Sequence, residues 1–282
     1  MERYARAREI AALDPDRDRI EIVRRMVQFE FPWDMMRSLE LALFRTFAVP
    51  TIGTLLDRTR EFGDHTQKRY DDTLLLLYHI WLDDTADERR ASGEHLNFLH
   101  DHYRISNDDF RYTLATFVVV PIRWLRRYGW RAPSDVEITA WTNAMRDMGQ
   151  VMRIDGMPAT FDEFCELLDK YEAEYFAYQP ANERVARATL DMMVGWYPRP
   201  LRPAMRALVP GLLDEPVLRA VGLPVPSRRM QRLAHGAVRA RARVLRRLPA
   251  RPDHKAFEPK LRTYDTEPAM RNLGPVALLR RR

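Results

Sequence analysis

The stretch "DDFRYTLATFVVVPIRWLRRYG" (Asp108–Gly129) decides the fold class of this chain. Its apolar positions recur with the period of an amphipathic α-helix. Ser106 and Asp109 resemble a capping box at its start, Pro121 is expected to kink the helix, and Gly129 is expected to end it. The stretch therefore predicts one long, kinked helix.

The other strongly periodic segments on both sides of this stretch also predict helices. Two S/T-x-x-E capping boxes, Ser134–Glu137 and Thr160–Glu163, each open a further helix. No alternating strand pattern, glycine-rich phosphate loop or internal repeat is found. The sequence predicts an all-α fold with a globin-like core. The remaining predicted helices cover residues 20–29, 34–48, 50–62, 67–84, 87–103 and 181–196.

The domain organisation follows from length and composition. A chain of 282 residues is long enough to bury a sizeable core. We expect a single helical domain over residues 1–250 and a basic, flexible C-terminal tail over residues 251–282. Between Tyr197 and Pro226, closely spaced prolines separate short helices.

The charge is unevenly distributed along the chain. Residues 199–282 contain 20 Lys and Arg against 6 Asp and Glu, whereas residues 1–198 have a net charge of −8. The basic segment Pro226–Arg282 is compatible with a solvated helix, or with peripheral binding to an anionic membrane or partner. No nucleic-acid motif accompanies the charge, so nucleic acid is not an expected partner.

Targeting and redox features point to the cytoplasm. The longest apolar run, Thr73–Leu82, has about half the length of a membrane-spanning helix. The N-terminus alternates charges, so we expect no signal peptide, and one cysteine excludes an intramolecular disulfide. Cys165 lies in "TFDEFCELL", which predicts a core position rather than a thiolate ligand. No G-x-S-x-G motif of a serine hydrolase is present.

Three histidines occur within eight residues of "HLNFLHDHYRISNDD" (His95–Asp109). Spacings of five and two do not bring His95, His100 and His102 to one metal on a helix. On a helical wheel the apolar face also carries His100, with His95 and His102 near its edges. Asn97 and Asp101 lie on the opposite side. His100 is therefore either a buried core residue, a proton-transfer group or a single axial haem ligand.

Arg69 and Thr73, four residues apart, share one helix face at the start of the apolar run Leu74–Leu77. An arginine at such a position can bind a carboxylate or orient a polar reactant. The alternative is a salt bridge to Asp72 or to an acidic residue elsewhere. His79 and Asp83, also four apart, are typical of a helix-surface pair.

Three blocks together resemble the family of the latex-clearing rubber oxygenases and the fungal MpaB-type oxygenases. They are the pair Arg69 and Thr73, the histidine helix "LNFLHDHYRISNDDFRYTLATF", and "GMPATFDEFCELLDKYEAEY" followed by "LRPAMRALVPGLLDEPVLRAVGLPVPS". The resemblance covers roughly residues 20–250. It implies an all-α core around a b-type haem, with O2 as co-substrate, His100 as the proximal iron ligand, and Arg69 and Thr73 as a polar pair near the haem.

The chain departs from the family pattern at two positions. Rubber-cleaving members have a lysine where this chain has Asp72, and many bacterial relatives have a further histidine where this chain has Leu114. The export signal of the secreted rubber enzymes is also absent from the given sequence. We therefore expect a haem-dependent oxygenase that acts on an apolar small molecule, such as a lipid or isoprenoid. The carbon–carbon cleavage reaction of the rubber oxygenases is not part of this expectation. The alternative is a non-catalytic binding or membrane-peripheral protein that has kept the fold without haem chemistry.

Overall fold

The computed structural model describes residues 2–279, and the regular elements among them are helices without a single β-strand. This confirms the predicted all-α class, while the globin-like arrangement of the core stays a prediction. The closing arginines, residues 280–282, lie outside the described residues. The α-helices are α1 (Ala5–Ala11), α2 (Arg19–Arg25), α3 (Pro32–Phe47), α4 (Pro50–Thr59), α5 (Glu61–Asp64), α6 (Thr66–Leu82), α7 (Ala86–His100), α8 (Asn107–Tyr128), α9 (Asp135–Val151), α10 (Phe161–Tyr175), α11 (Pro180–Gly195), α12 (Arg202–Leu208), α13 (Glu215–Ala220), α14 (Arg228–Arg247) and α15 (Val276–Leu279).

The described chain forms two compact units, each built from three segments. The first unit contains residues 2–40, 74–168 and 239–260, and the second contains residues 41–73, 169–238 and 261–279. The predicted division at residue 250 concerns a different boundary and stays a prediction.

The core of the first unit is built around α9, which packs against α2, α7 and α8. Helix α8 runs without a break through Pro121, which has no N–H to donate to the Phe117 carbonyl four residues earlier. The buried indole of Trp141, on α9, donates to that carbonyl at 3.1 Å. A side chain of a neighbouring helix therefore replaces the missing backbone donor, and the packing of α8 on α9 depends on it.

A buried ion network lies at another point of the first unit. The guanidinium of Arg131 binds Glu30, at the end of a π-helical turn, at 2.8 Å and Glu137, at the start of α9, at 2.6 Å. Both carboxylates are buried. Desolvation lowers the pKa of Arg131, but the two carboxylates outweigh it and the pKa is raised overall.

The second unit is organised by α11, which packs against α4, α5 and α12. Gly53 on α4 lies so close to Asn182 that an added Cβ would be 2.0 Å from the amide oxygen. The predicted helix over residues 50–62 is wrong in its end, because Arg60 adopts a left-handed conformation (φ 59°) and separates α4 from the short α5.

Candidate functional site

His100 is the last residue of α7 and is half-buried in the first unit. Its Nδ1 atom is buried, and its ring packs edge-on against Phe110 of α8, with the ring centroids 5.4 Å apart. The inward orientation predicted from the helical wheel therefore holds for the imidazole.

The helix of His100 is held on α9 by small and polar residues. An added Cβ on Gly93 would lie 2.3 Å from a methyl group of Val151, so only glycine allows this approach of α7 to α9. Four residues after Gly93, the amide of Asn97 donates at 2.7 Å to the carbonyl of Val151, the last residue of α9. The carbonyls of a final helical turn need partners from outside the helix. Asn97 supplies one of them.

The predicted position of Asn97 on the side opposite the core is wrong, since only 7% of this residue is exposed. The helical wheel defined the buried face by the apolar residues alone. In the structure, Ser92 and Gly93 of α7 are also buried, so the buried face is wider than predicted. Asp101 is exposed, as predicted. A polar residue on a predicted outer face can therefore be buried when it binds a helix end.

The other two histidines of the cluster lie against Phe98. His95 is half-buried and His102 is exposed, and the rings of both contact Phe98, which is 37% exposed. The Nδ1 atom of His102 lies 2.8 Å from the Phe98 carbonyl. The rings of His95 and His102 therefore flank one phenylalanine side chain.

Leu114 occupies the position at which many bacterial relatives were expected to have a second histidine. It is buried on α8. An added Cβ on Gly149 of α9 would lie 2.8 Å from its Cδ2 atom. Leu114 thus has a packing role between α8 and α9, which explains an apolar residue at this position.

Arg69 and Thr73 are brought together on α6, in the second unit. Nη1 of Arg69 donates to Oγ1 of Thr73 at 2.8 Å, and the Thr73 hydroxyl donates to the Arg69 carbonyl at 2.7 Å. Both residues are half-buried, and the Arg69 guanidinium lies 5.8 Å from the ring of Phe62. Thr73 therefore fixes one end of the guanidinium relative to the helix.

Asp72 has a role that sequence reasoning missed. The carboxylate is buried and is bound by Lys68, by the hydroxyl of Tyr264 at 2.5 Å and by the backbone N–H of Gly274 at 2.9 Å. The alternative of a salt bridge between Asp72 and Arg69 is therefore wrong. Burial and the hydrogen bond to Asp72 raise the pKa of Tyr264 above its ordinary value.

Asp71 binds the same C-terminal segment through backbone groups. The buried carboxylate accepts from the N–H groups of Arg262 at 3.0 Å and Thr263 at 2.7 Å, and from the side chain of Gln67 at 3.0 Å. Farther along, Glu61 accepts from the N–H of Val276 at 3.0 Å. Two adjacent acidic residues at the start of an apolar run were the sequence signal for this contact, since buried carboxylates need donors.

The remaining candidate groups are few. His79 and Asp83 form the predicted i,i+4 pair at 2.8 Å. Cys165, predicted as a core position, is half-buried beside buried Phe164. Residues 2–279 contain no group of three or more His, Cys, Asp or Glu side chains arranged to hold a metal ion.

One finding concerns membrane spans. Across residues 2–279, no single helix has both the length and the apolar character needed to cross a bilayer. The pair α3 and α4 meets the same criteria only when combined, and the two helices are bent by 101° where they join.

Comparison with known proteins adds to this geometry. Residues 8–247 match the sequence profile described as "ER-bound oxygenase mpaB/B'/Rubber oxygenase, catalytic domain". The range includes His100, Arg69 and Thr73.

Three fungal relatives are similar to this chain. The ER-bound oxygenase mpaB' of Penicillium brevicompactum is 30% identical over 270 residues, which cover 88% of this chain and 64% of the relative. The ER-bound oxygenase mpaB of the same organism is 31% identical over 211 residues, or 68% of this chain and 54% of the relative. The ER-bound oxygenase mpaB of Penicillium roqueforti (strain FM164) is 27% identical over 238 residues, or 77% and 80%.

This chain spans less than two thirds of the length of both Penicillium brevicompactum relatives. The match to the catalytic-domain profile nevertheless covers most of the chain, including the helices α2 to α14. The chain therefore belongs to the family of the ER-bound oxygenases mpaB/B' and the rubber oxygenase catalytic domain.

Proposed function

We propose that this chain is an oxygenase that binds a b-type haem through His100 and acts with O2 on an apolar small molecule, such as a lipid or isoprenoid. The observation that supports this most is the position of His100, whose half-buried ring packs against Phe110 within a matched oxygenase domain. The relatives are named oxygenases, which supports the proposed class of reaction but not a particular substrate.

The residues present fit a haem by their donor chemistry. A porphyrin supplies four nitrogen ligands, so that a single protein imidazole is enough to hold the iron. His100 would supply this ligand. Asn97 of the same helix donates to the end of α9 and so helps to hold the helix that carries this imidazole. A bound haem would supply the activation of O2.

The chain's own residues would contribute orientation and polarity. Arg69 is a fixed positive charge at the start of an apolar helix run, and Thr73 binds one of its nitrogens. A guanidinium has five N–H donors in a planar fork and can bind an anionic or polar group of a reactant. We assign to Arg69 the binding of such a group, and to Thr73 the orientation of Arg69.

The alternative function is a non-catalytic binding protein that has kept the fold. It was suggested by Asp72 and Leu114, which depart from the family pattern. Asp72 binds the C-terminal segment and Leu114 packs beside Gly149, so both departures have a structural explanation. Neither residue therefore favours the loss of haem over its retention.

We further propose that the protein associates peripherally with an anionic membrane through the basic segment Pro226–Arg282. An apolar substrate would be concentrated in such a membrane. The relatives are named ER-bound, which supports this part of the proposal without identifying the membrane.

The haem assignment is tested by expressing the protein with adequate haem supply and recording the Soret absorbance. We expect a coloured wild-type protein, loss of the Soret band in His100→Ala, and its retention in His102→Ala and His95→Ala. These control variants remove neighbouring histidines that the assignment does not use. A wild-type protein that is colourless and refuses added haemin would overturn the proposal, as would haem retention in His100→Ala.

A further inference from the structure

Helix α14 exposes an apolar stripe on its outer side. Leu233 is 59% exposed, Val244 is 58% exposed, and Leu248, directly after the helix, is 48% exposed. Ala237 and Ala240 lie between them and are also exposed. With about 100° of rotation per residue, these five side chains fall within about 80° of the helix circumference. We call these five residues the outer stripe.

A band of arginines runs beside the outer stripe. All of its members are exposed, and none pairs with a carboxylate among the described residues of the chain. On the helical wheel they lie within about 80° of one another, next to the apolar side chains. The members of this arginine band are Arg229, Arg232, Arg239, Arg243 and Arg247.

The opposite side of α14 is fixed in the protein. Ala234, Val238 and Ala242 are buried. Nη1 of Arg241 lies 3.1 Å from each carboxylate oxygen of buried Asp34, and its guanidinium stacks on Trp33 at 3.8 Å. This arginine is therefore a structural anchor. The helix cannot turn its outer stripe inward without breaking the Asp34 contact.

We propose that the outer stripe and the arginine band bind the headgroup region of an anionic lipid bilayer. This inference rests on the membrane association of the proposed function and deepens it by naming the side chains that make the contact. Apolar side chains of an interfacial helix insert at the boundary of headgroups and acyl chains. Guanidinium groups beside them bind lipid phosphates, and long arginine side chains can reach the headgroups from the helix flank.

Charge complementarity together with the exposed apolar side chains favours an anionic bilayer over a nucleic acid. The arginine band has no carboxylate partners among the described residues, whereas residues 1–198 have a net charge of −8. The positive charge is therefore concentrated in the C-terminal part of the chain. A nucleic acid would use the arginines but would gain nothing from exposed Leu233, Val244 and Leu248. A bilayer uses both features, which is why we commit to lipid.

The test is co-sedimentation of the full chain with vesicles of phosphatidylcholine alone or mixed with phosphatidylserine. We expect binding to the mixed vesicles only, and weaker binding as salt is added. The triple variants Leu233→Ser/Val244→Ser/Leu248→Ser and Arg239→Gln/Arg243→Gln/Arg247→Gln should each bind at least about tenfold more weakly. Matched controls are Leu201→Ser, which is also exposed but lies outside α14, and Arg17→Gln.

Three outcomes would overturn the inference. They are equal binding to neutral and anionic vesicles, equal loss in the control variants, and loss in the arginine variant alone together with binding of a short DNA duplex. The haem assignment and this membrane surface fail separately, because the α14 variants should keep the Soret band of the wild type and His100→Ala should still bind vesicles. Circular dichroism of each variant checks that α14 and the rest of the fold are retained.

Discussion

The hydroxyl of Tyr264 donates a hydrogen bond of 2.5 Å to Asp72, a residue 192 positions earlier in the chain. Asp72 directly precedes Thr73, which binds Arg69. The C-terminal segment therefore helps to fix the helix that carries the proposed polar pair, through a carboxylate at the position where a lysine was expected in the rubber-cleaving members.

Removal of this carboxylate should destabilise the protein. Asp72→Ala leaves the Lys68 ammonium without its counter-charge and the N–H of Gly274 without its acceptor, so we expect a loss of about 3 kcal/mol in the free energy of unfolding. Urea unfolding measures it. The control is Asp64→Ala, an exposed i,i+4 partner of Arg60, which should lose less than about 1 kcal/mol. Equal losses in the two variants would show that Asp72 has no special role.

The same contact should weaken at alkaline pH. The pKa of Tyr264 is raised in the folded protein above the value of about 10 in an unfolded chain. Because the neutral phenol is favoured by folding, this stabilisation is complete below about pH 10 and is lost as the pH rises towards the folded-state pKa. Wild type and Tyr264→Phe should therefore differ in unfolding free energy at pH 8 and converge at higher pH. A difference that grows with pH would contradict the assignment.

Arg131 should be essential for the stability of the first unit. Arg131→Met leaves the buried carboxylate of Glu137 without its counter-charge and that of Glu30 with Arg6 alone, with an expected loss of about 3–5 kcal/mol at pH 7. Thermal unfolding at pH 7 measures this loss. Arg90→Met, at an exposed ion pair, is the control and should show little change.

Gly93 should determine the position of the His100 helix. Gly93→Ala forces a methyl group against Val151, so that α7 must move from α9, with an expected loss of about 1–3 kcal/mol. Gly236→Ala on α14 meets no atom within 4 Å and should instead stabilise by up to about 1 kcal/mol. If haem binds through His100, the Soret maximum should shift in Gly93→Ala and stay unchanged in Gly236→Ala. An unchanged Soret band in both variants would show that haem ligation does not depend on the position of α7.

Local signals explain which parts of the fold could be predicted from sequence. Ser134 and Glu137 form both halves of the predicted capping box, and Ser106 accepts from the N–H of Asp109 as predicted. Each signal and its partner lie three residues apart, so the sequence contains the whole interaction. Thr85 and Glu88 form a further capping box that sequence reasoning did not use.

The misses have distant partners instead. Asn97 binds the carbonyl of Val151, 54 positions away, and Asp72 binds the hydroxyl of Tyr264, 192 positions away. The helical period predicts on which face of a helix a residue lies. It does not predict which distant backbone group will pack against that face. Arg69 and Thr73 were paired correctly because they are one helical turn apart, whereas the environment of Asp72 required the folded C-terminal segment.

The contacts of Asp71 and Asp72 also have a consequence for the order in which the protein forms. At a synthesis rate of about 5–20 residues per second, the 192 positions between Asp72 and Tyr264 take roughly 10–40 s to translate. During this interval α6 has two carboxylates whose later donors do not yet exist, so they must stay hydrated. Completion of the second unit is therefore a late event in biosynthesis, and α6 exposes both carboxylates to solvent and to chaperones until then.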